Sequence, residues 1–538
     1  MRSDLRLFGG SLLLGLSAAT FSLTPVAEQL LRLTPARLYF IRTLPDRLDY
    51  GILLALIFII GMIAGATFWA SYRHSGVVRR ALEAPFALLV VMGVAHMIDL
   101  HVGRYPPLLN AVVAAWQGVG VSGVDGWFIV SVAAGFAVLA AFSQWPWGWM
   151  VAKPVLCGTA AVVWWAAASS ILQPVAPMKE GPTGEAKVRT ATREIGPGNP
   201  VVWIVFDEWD YDLTFRREDR KTFPEIERLR NHSVFLESVR AAGKSTLVAL
   251  PGLLMGQTVR DYRPATRAGA RFVTVGAAES FPGPRTIFDV ATQFGYKSAI
   301  VGWYHPYCRI FANVVDSCVW DDLRLPLLRQ QGTLADRAGA FLRESIEVEM
   351  LPLAGPSNAI LRHIARVRIL EEQASLAASH SGRSFSFLHL PVPHAPFFKL
   401  DADGGATPLP TRDDSYDAGL EALDKALGSI RGAMEKSGVW DEALLVVTSD
   451  HPYRHQFEGG YGNGHIPMMI KFPHQTAPVT YSHPFQAVET KSLIEDFMQG
   501  TVATPERAIA WLERSAPARG TPAAGPAAGV TLKNAAHH

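Results

Sequence analysis

Two kinds of apolar patterning divide the chain. Up to Leu172 the apolar residues come in long runs, clearest at Phe8–Leu23, Tyr50–Trp69, Ala84–Leu100, Trp127–Phe142 and Val155–Leu172. With their flanks these approach the roughly 20 residues a helix needs to cross a bilayer. A bundle of about five transmembrane helices is therefore expected over residues 1–172. Phe8–Leu23 follows Arg2 and Arg6 and has a second reading as a signal peptide; the four apolar segments behind it favour its retention. Residues 173–199 are rich in Pro, Gly, Lys, Glu and Thr, lack an apolar period and read as a linker. Residues 515–538 are mostly Ala, Gly and Pro and read as a disordered tail.

Between these ends, residues 200–514 change period. Short β-rich runs recur at Val201–Phe206, Lys297–Val301, Ser384–Leu390, Leu444–Thr448 and Met468–Phe472. Helical patterns lie between them, as at Phe223–His232, Thr286–Phe294, Ile360–Ala378 and Gly419–Lys436. Continuous apolar strands alternating with helices predict one large α/β domain, its mostly parallel sheet covered on both faces.

Composition and charge narrow the setting. The 538 residues are 49% hydrophobic, with a mean hydropathy of +0.15 and a net charge of +2. So balanced a charge gives no footprint for nucleic acid. The connection Tyr72–Arg80 carries Arg73, Arg79 and Arg80 and reads as cytoplasmic by the positive-inside rule. This predicts that the chain after Leu172 lies outside the cytoplasm, in an inner-membrane protein with a periplasmic or extracellular domain. Arg32, Arg37, Arg42 and Arg47 on the expected outer connection Glu28–Asp49 run against that rule. His96, Asp99 and His101 near the end of the third apolar segment are read as lying at the outer water interface. Cys308 and Cys318 are open to two readings, a disulfide or two thiols, since spacing does not fix geometry.

The candidate chemistry centres on Gly243-Lys244-Ser245-Thr246, ahead of the apolar run that ends in Gly256. A hydroxyl at a helix start suits a nucleophile, because the first-turn amides stabilise negative charge. Such a residue is equally an ordinary helix cap. A nucleotide-binding loop is excluded, because Ser238 stands where its first glycine belongs. The strand ends then supply ligand-type residues. Val201–Phe206 ends in Asp207-Glu208, and Leu444–Thr448 in Ser449-Asp450-His451. Ser384–Leu390 runs on to His394, and Lys297–Val301 to His305; His465 precedes its strand. Carboxylates, imidazoles and a hydroxyl suit Zn²⁺, with Mn²⁺ as the harder alternative.

Taken in order, Val201–Gly256, Gly295–His305, Phe387–Phe397 and Val446–Pro473 resemble the sulfatase-like branch of the alkaline phosphatase superfamily. Membrane helices followed by such a domain resemble the lipoteichoic acid synthases and the phosphoethanolamine and phosphoglycerol transferases of bacterial envelopes. The resemblance implies Thr246 as nucleophile, ten residues before Gly256. It implies Asp207, Asp450 and His451 as metal ligands with Thr246, and Glu208 as a further one. His394, His465 and His305 are implied to hold the substrate, and Lys244, beside the hydroxyl pair, is a candidate phosphate contact. The segment lacks the cysteine from which true sulfatases make formylglycine, and Gly302-Trp303-Tyr304-His305 lacks their sulfate-holding lysine. Position 390, four before His394, is Leu390, where two-zinc phosphatases carry an aspartate, so one metal site is expected. The implied reaction is metal-dependent transfer of a phospho-substituent from a membrane phospholipid to an envelope glycan or lipid, through a phospho-threonine. A hydrolase on the same site, or a degenerate assembly partner, are the alternatives.

Overall fold

The computed structural model describes residues 2–24, 27, 31, 39–40, 47–102, 157–158, 160–165, 196–218, 221–266, 269–274, 278–281, 285–321, 333–339, 358–401, 405–408, 415–454 and 465–515. Three long helices open the chain: α1 (Arg2–Ser22), α2 (Arg47–Ser71) and α3 (Gly76–Val102). The α1–α2 contact is close because it is built on glycine. A Cβ on Gly15 would lie 2.3 Å from the Gly61 oxygen and 2.4 Å from the Gly65 nitrogen. Gly61 and Gly65 form the small-xxx-small stripe that lets membrane helices pack backbone to backbone.

Among the described residues one helix, α2, is long and apolar enough to cross a membrane, and Leu7–Ser22 is a shorter apolar helix. Of the five expected spans, α2 is the one that meets that length and apolarity among the described residues. Ala84–Leu100 lies inside α3, whose first turns hold Arg79, Arg80 and Glu83. Trp127–Phe142 lies outside the described residues, and Val155–Leu172 is described only in part. The expected linker 173–199 and tail 515–538 also lie almost wholly outside them.

The downstream domain is built on β1 (Val201–Asp207), β2 (Val234–Arg240), β3 (Asp261–Thr266), β4 (Gly269–Val273), β5 (Ala278–Phe281), β6 (Lys297–Trp303), β7 (Ser317–Asp321), β8 (Ser384–Pro393), β9 (Phe398–Leu400), β10 (Ala406–Pro408), β11 (Leu444–Ser449), β12 (His465–Lys471), β13 (Val479–Tyr481) and β14 (Phe485–Gln486). Nine of them form one sheet in the order β13-β2-β12-β11-β1-β8-β6-β7, with β14 also on β2. The sheet is mixed, which corrects the expectation in one place. β12 runs antiparallel to both β11 and β2, while the other pairs are parallel. Consecutive antiparallel strands need no crossover helix.

Along β1, Val201, Trp203 and Val205 enter one core, and Val202, Ile204 and Phe206 the other. Both faces are dry, which is why the strand reads as an unbroken apolar run. One face carries α5 (Thr246–Met255), α6 (Ile287–Gln293), α9 (Thr490–Gln499) and α10 (Pro505–Ser515). The other carries α4 (Pro224–Arg230), α7 (Asn358–Ala378) and α8 (Tyr416–Lys436).

Cys308 and Cys318 are bonded, with Cα atoms 5.5 Å apart. The bridge ties the helical turn Tyr307–Ile310, just after His305, to strand β7. Replacing both cysteines by serine is expected to cost about 2–3 kcal/mol of stability, the scale for so short a loop. Denaturant unfolding of the oxidised chain against the double variant measures it.

Candidate active site

The central strands β11, β1, β8 and β6 run parallel, so their carboxyl ends open on one edge of the sheet, where sites of open α/β sheets form. Asp207 is the last residue of β1, and Asp450 follows β11 directly. His389 lies on β8 opposite Val205. Side chains alternate along a strand, so His389 and Asp207 share the Val205 face, the face that α5 covers.

Thr246 is the first residue of α5, with Ser245 as its backbone N-cap. Ser245 makes no side-chain cap bond, so the first turn is not closed by a hydroxyl. Gly243 is required just before it: a Cβ there would lie 2.7 Å from Val248 Cγ2 and 2.9 Å from the Ala249 nitrogen. Gly256, at φ +72°, closes the helix in the left-handed region that favours glycine.

The side chains converge in the interior. Asp207, Asp450, His389 and His451 are fully buried, and Thr246 nearly so. Thr246 Oγ1 lies 3.2 Å from His451 Nε2, and 3.3 and 3.4 Å from the two Asp207 carboxylate oxygens. His451 Nε2 is 3.4 Å from Asp450 Oδ2. Asp207, His389 and Asp450 each offer a ligand atom, all within 4.8 Å of one another.

Hydrogen bonding sets both imidazoles. His451 Nδ1 is 2.9 Å from the Pro452 carbonyl. A carbonyl only accepts, so Nδ1 carries the hydrogen and Nε2 turns its lone pair toward Thr246. His389 Nδ1 lies 3.1 Å from the Tyr307 hydroxyl and 3.2 Å from the Trp303 carbonyl; donation to the carbonyl puts the hydrogen on Nδ1 and turns the Nε2 lone pair toward Asp207 Oδ2 at 3.7 Å. Outer carbonyls that fix a tautomer in this way are typical of metal-binding histidines. Burial lowers the His389 pKa to about 4, keeping the ring neutral. Burial, then the carboxylates of Asp450 and Glu208, raise Asp207 well above the usual carboxylate range.

These residues fit a divalent cation. Two carboxylates share a dry site, and Asp450 Oδ2 and His389 Nε2 are buried without hydrogen-bond partners. Orphaned buried acceptors are rare unless something occupies them. The donor set of carboxylates and imidazoles suits Zn²⁺ or Mn²⁺.

Glu208 does not join this group. It adopts φ +66°, a left-handed conformation uncommon for a residue with a Cβ. Tyr416 donates to its carbonyl at 2.7 Å, and its own N–H donates to Asp450 Oδ1 at 3.2 Å. The kink turns its carboxylate away, onto the Arg454 guanidinium. Burial would raise the Glu208 carboxyl, but His394 and Arg454 hold it below its usual range. Arg454 also donates to His394 Nε2 at 2.7 Å. His394 thus stands in a Glu208–Arg454–His394 cluster at the rim.

The remaining expected residues are spread out. His305 is buried, and both its ring nitrogens are engaged, by Tyr39 and by the Thr246 carbonyl. His465 starts β12 and is half-buried; its charged neighbours are Asp212, Arg216 and Arg240. Lys244 is exposed, two residues before Thr246. His389, Arg454 and Tyr39 were missed from the sequence. His389 is the one titratable side chain inside the apolar run Ser384–Leu390, a signal the sequence carries.

Comparison with known proteins gives a family match over part of the chain: residues 343–500 match the Sulfatase family model. No curated protein matches the chain. Similar solved structures include the lipoteichoic acid synthase LtaP from Listeria monocytogenes, 14% identical, covering 58% of this chain and 76% of that one, at a TM-score of 0.36. Another is a phosphonate monoester hydrolase of Agrobacterium radiobacter, 16% identical, covering 56% and 74%, at a TM-score of 0.37. A third is a protein in the alkaline phosphatase superfamily from Vibrio parahaemolyticus, 16% identical, covering 56% and 66%, at a TM-score of 0.37.

Removing His389 is expected to weaken Zn²⁺ or Mn²⁺ binding at least about tenfold, the scale seen when a metal's supporting ligands are lost. Glu208→Gln should keep the affinity. Chelator competition on the two purified variants decides it; equal losses would put Glu208 among the ligands.

Proposed function

We propose that this chain, sulfatase-like over residues 343–500, is a membrane-anchored phosphotransferase with Thr246 as its nucleophile. The observation that carries the reading is the placing of Thr246. A buried hydroxyl at a helix start meets Asp207 and His451 at 3.2–3.4 Å, beside Asp450 and His389. Asp207, Asp450, His389 and His451 would hold one divalent ion, Zn²⁺ or Mn²⁺. When bound, the ion supplies Lewis acidity to the threonine oxygen and charge balance for the carboxylates.

The chain's own residues then do the following. The first turn of α5 directs its amides at the oxygens of the transferred group. His451 Nε2 and the Asp207 carboxylate are the acceptors within reach of the hydroxyl proton. The Thr246 Oγ1–P bond forms as the P–O bond to a lipid alkoxide breaks, leaving a phospho-threonine. An acceptor hydroxyl on an envelope glycan or lipid then takes the phospho-substituent and restores the threonine. Arg454, with His394 beside it, supplies positive charge at the rim for the donor's phosphate. His465 and Lys244 are the further candidates for substrate contact.

Two features support an extracytoplasmic site at a membrane. α2 is long and apolar enough to span, and it turns Phe58, Ile59 and Ile63 outward. The Cys308–Cys318 bridge belongs to an oxidising compartment. A membrane anchor keeps the site beside a phospholipid donor. Against sulfate-ester hydrolysis, the segment Gly243–Gly256 holds no cysteine.

Asp450→Asn is expected to lose both bound metal and turnover. Thr246→Ala should lose turnover by about a thousandfold or more, on the scale of removing a nucleophile, while keeping metal. Both are read with a fluorescent phospholipid, with and without an added acceptor. Turnover sustained without acceptor would make the enzyme a hydrolase, and a fully active Thr246→Ala would end the proposal.

A further inference from the structure

One buried polar chain is left unused by the reaction. Tyr39 lies between α1 and α2 in sequence, yet its side chain is fully buried in the core beneath α5. Its hydroxyl is 2.7 Å from Tyr262 Oη and 2.7 Å from His305 Nδ1. His305 Nε2 is 3.2 Å from the Thr246 carbonyl oxygen. Arg309 donates to the Tyr39 carbonyl at 2.8 Å and lies over the Trp320 ring at 4.9 Å.

The direction of each bond follows from the last one. The Thr246 carbonyl only accepts, so His305 Nε2 carries the hydrogen. A neutral imidazole carries one ring hydrogen, so with Nε2 donating to the Thr246 carbonyl at 3.2 Å, Nδ1 is an acceptor. Tyr39 must therefore donate its hydroxyl hydrogen to Nδ1. Its oxygen then accepts from Tyr262. The chain runs one way, from Tyr262 through Tyr39 and His305, and ends on the backbone of the proposed nucleophile.

We propose that Tyr39 is a positioning residue for Thr246: through His305 it fixes the peptide group that follows the nucleophile. In a planar trans peptide the C=O and N–H point in opposite directions. Holding the Thr246 carbonyl therefore aims the Leu247 N–H at the open N-terminal end of α5. That amide is one of the first-turn donors available to the transferred group. The part of the chain that leads into α2 thus helps to set the geometry of the reacting end. A second tie lies close by in sequence, where Arg337 donates to Asp49 of α2 at 2.5 Å. The inference rests on Thr246 being the nucleophile, and the test separates the two.

Tyr39→Phe, Phe40→Leu, His305→Phe and Thr246→Ala are compared in the full chain in detergent micelles. Two readouts are used: turnover of bis(4-nitrophenyl) phosphate, a soluble diester, and amide hydrogen exchange over residues 245–250. Tyr39→Phe removes one oxygen and keeps the ring. It is expected to lower kcat about tenfold with KM within about twofold, the pattern of lost orientation. It should also speed exchange at the start of α5 about fivefold or more by freeing the helix end. Phe40→Leu, which disturbs the packing on Tyr304 from the same segment, should change neither kcat nor that exchange beyond about twofold. His305→Phe should match Tyr39→Phe, and the double variant should be no worse than the poorer single, because both break one chain. Should Tyr39→Phe not fold, His305→Phe carries the test with the same expectations. Wild-type kcat and exchange in Tyr39→Phe, or additive losses in the double variant, overturn the inference. If these occur while Thr246→Ala is inactive, only the positioning role fails. If Thr246→Ala is active, the nucleophile reading fails, and the inference with it.

Discussion

The downstream domain is organised around two carboxylates that share a dry site. Asp207 and Asp450 are both fully buried at the ends of neighbouring strands. A buried charge is costly unless something of opposite sign meets it. Hydrogen bonds cover part of the need: the backbone N–H groups of Glu208 and His451 both donate to Asp450 Oδ1, at 3.2 and 2.7 Å. The other Asp450 oxygen and His389 Nε2 are left without hydrogen bonds. A fold that tolerates such orphans in its best-packed layer is prepared for a cation.

The surrounding architecture can be understood as what holds that pair in place. Parallel strands bring their carboxyl ends to one edge, and alternation puts Asp207 and His389 on the face that α5 covers. Strand ends must then turn sharply, and two of them do so in conformations unusual for residues with a Cβ. Glu208 and Tyr304 adopt φ +66° and +73°. The first turn sends the Glu208 carboxylate to Arg454, and the second leads straight into His305. Such backbone persists only where its neighbours over-determine it. At Glu208 those neighbours are Tyr416, Asp450 and Arg454.

Much of this could be read from the sequence, and the failures have physical causes. Val201–Phe206, Lys297–Val301, Ser384–Leu390 and Leu444–Thr448 begin where the strands β1, β6, β8 and β11 begin, because strands buried on both faces are apolar throughout. In β2, Val234–Arg240, Glu237, Ser238 and Arg240 break the apolar run, so no apolar period announces the strand. Asp207, Thr246, Asp450 and His451 meet in space, and each stands next to a recognisable boundary between elements. His389 sits inside a strand, where a lone histidine is normally packing. Glu208 adjoins Asp207 in sequence, and sequence cannot give the backbone angle that separates their side chains. Tyr39 and His305 are 266 positions apart, and no local pattern announces such a pairing. The pairing also bears on the four arginines expected in an outer connection. Tyr39 of that connection is buried in the same core as helix α5.

The central claim is that Thr246 carries the transferred group. The most direct measurement is the mass of the tryptic peptide Ser245–Arg260 after the purified full chain, loaded with Zn²⁺ or Mn²⁺, meets phospholipid vesicles without acceptor. The account predicts a phospho-substituent located by fragmentation on Thr246, in wild type and not in Asp450→Asn, and its mass names the head group. An unmodified peptide under conditions where the lipid is consumed, or a modification placed on Ser245 or Thr258, would contradict it.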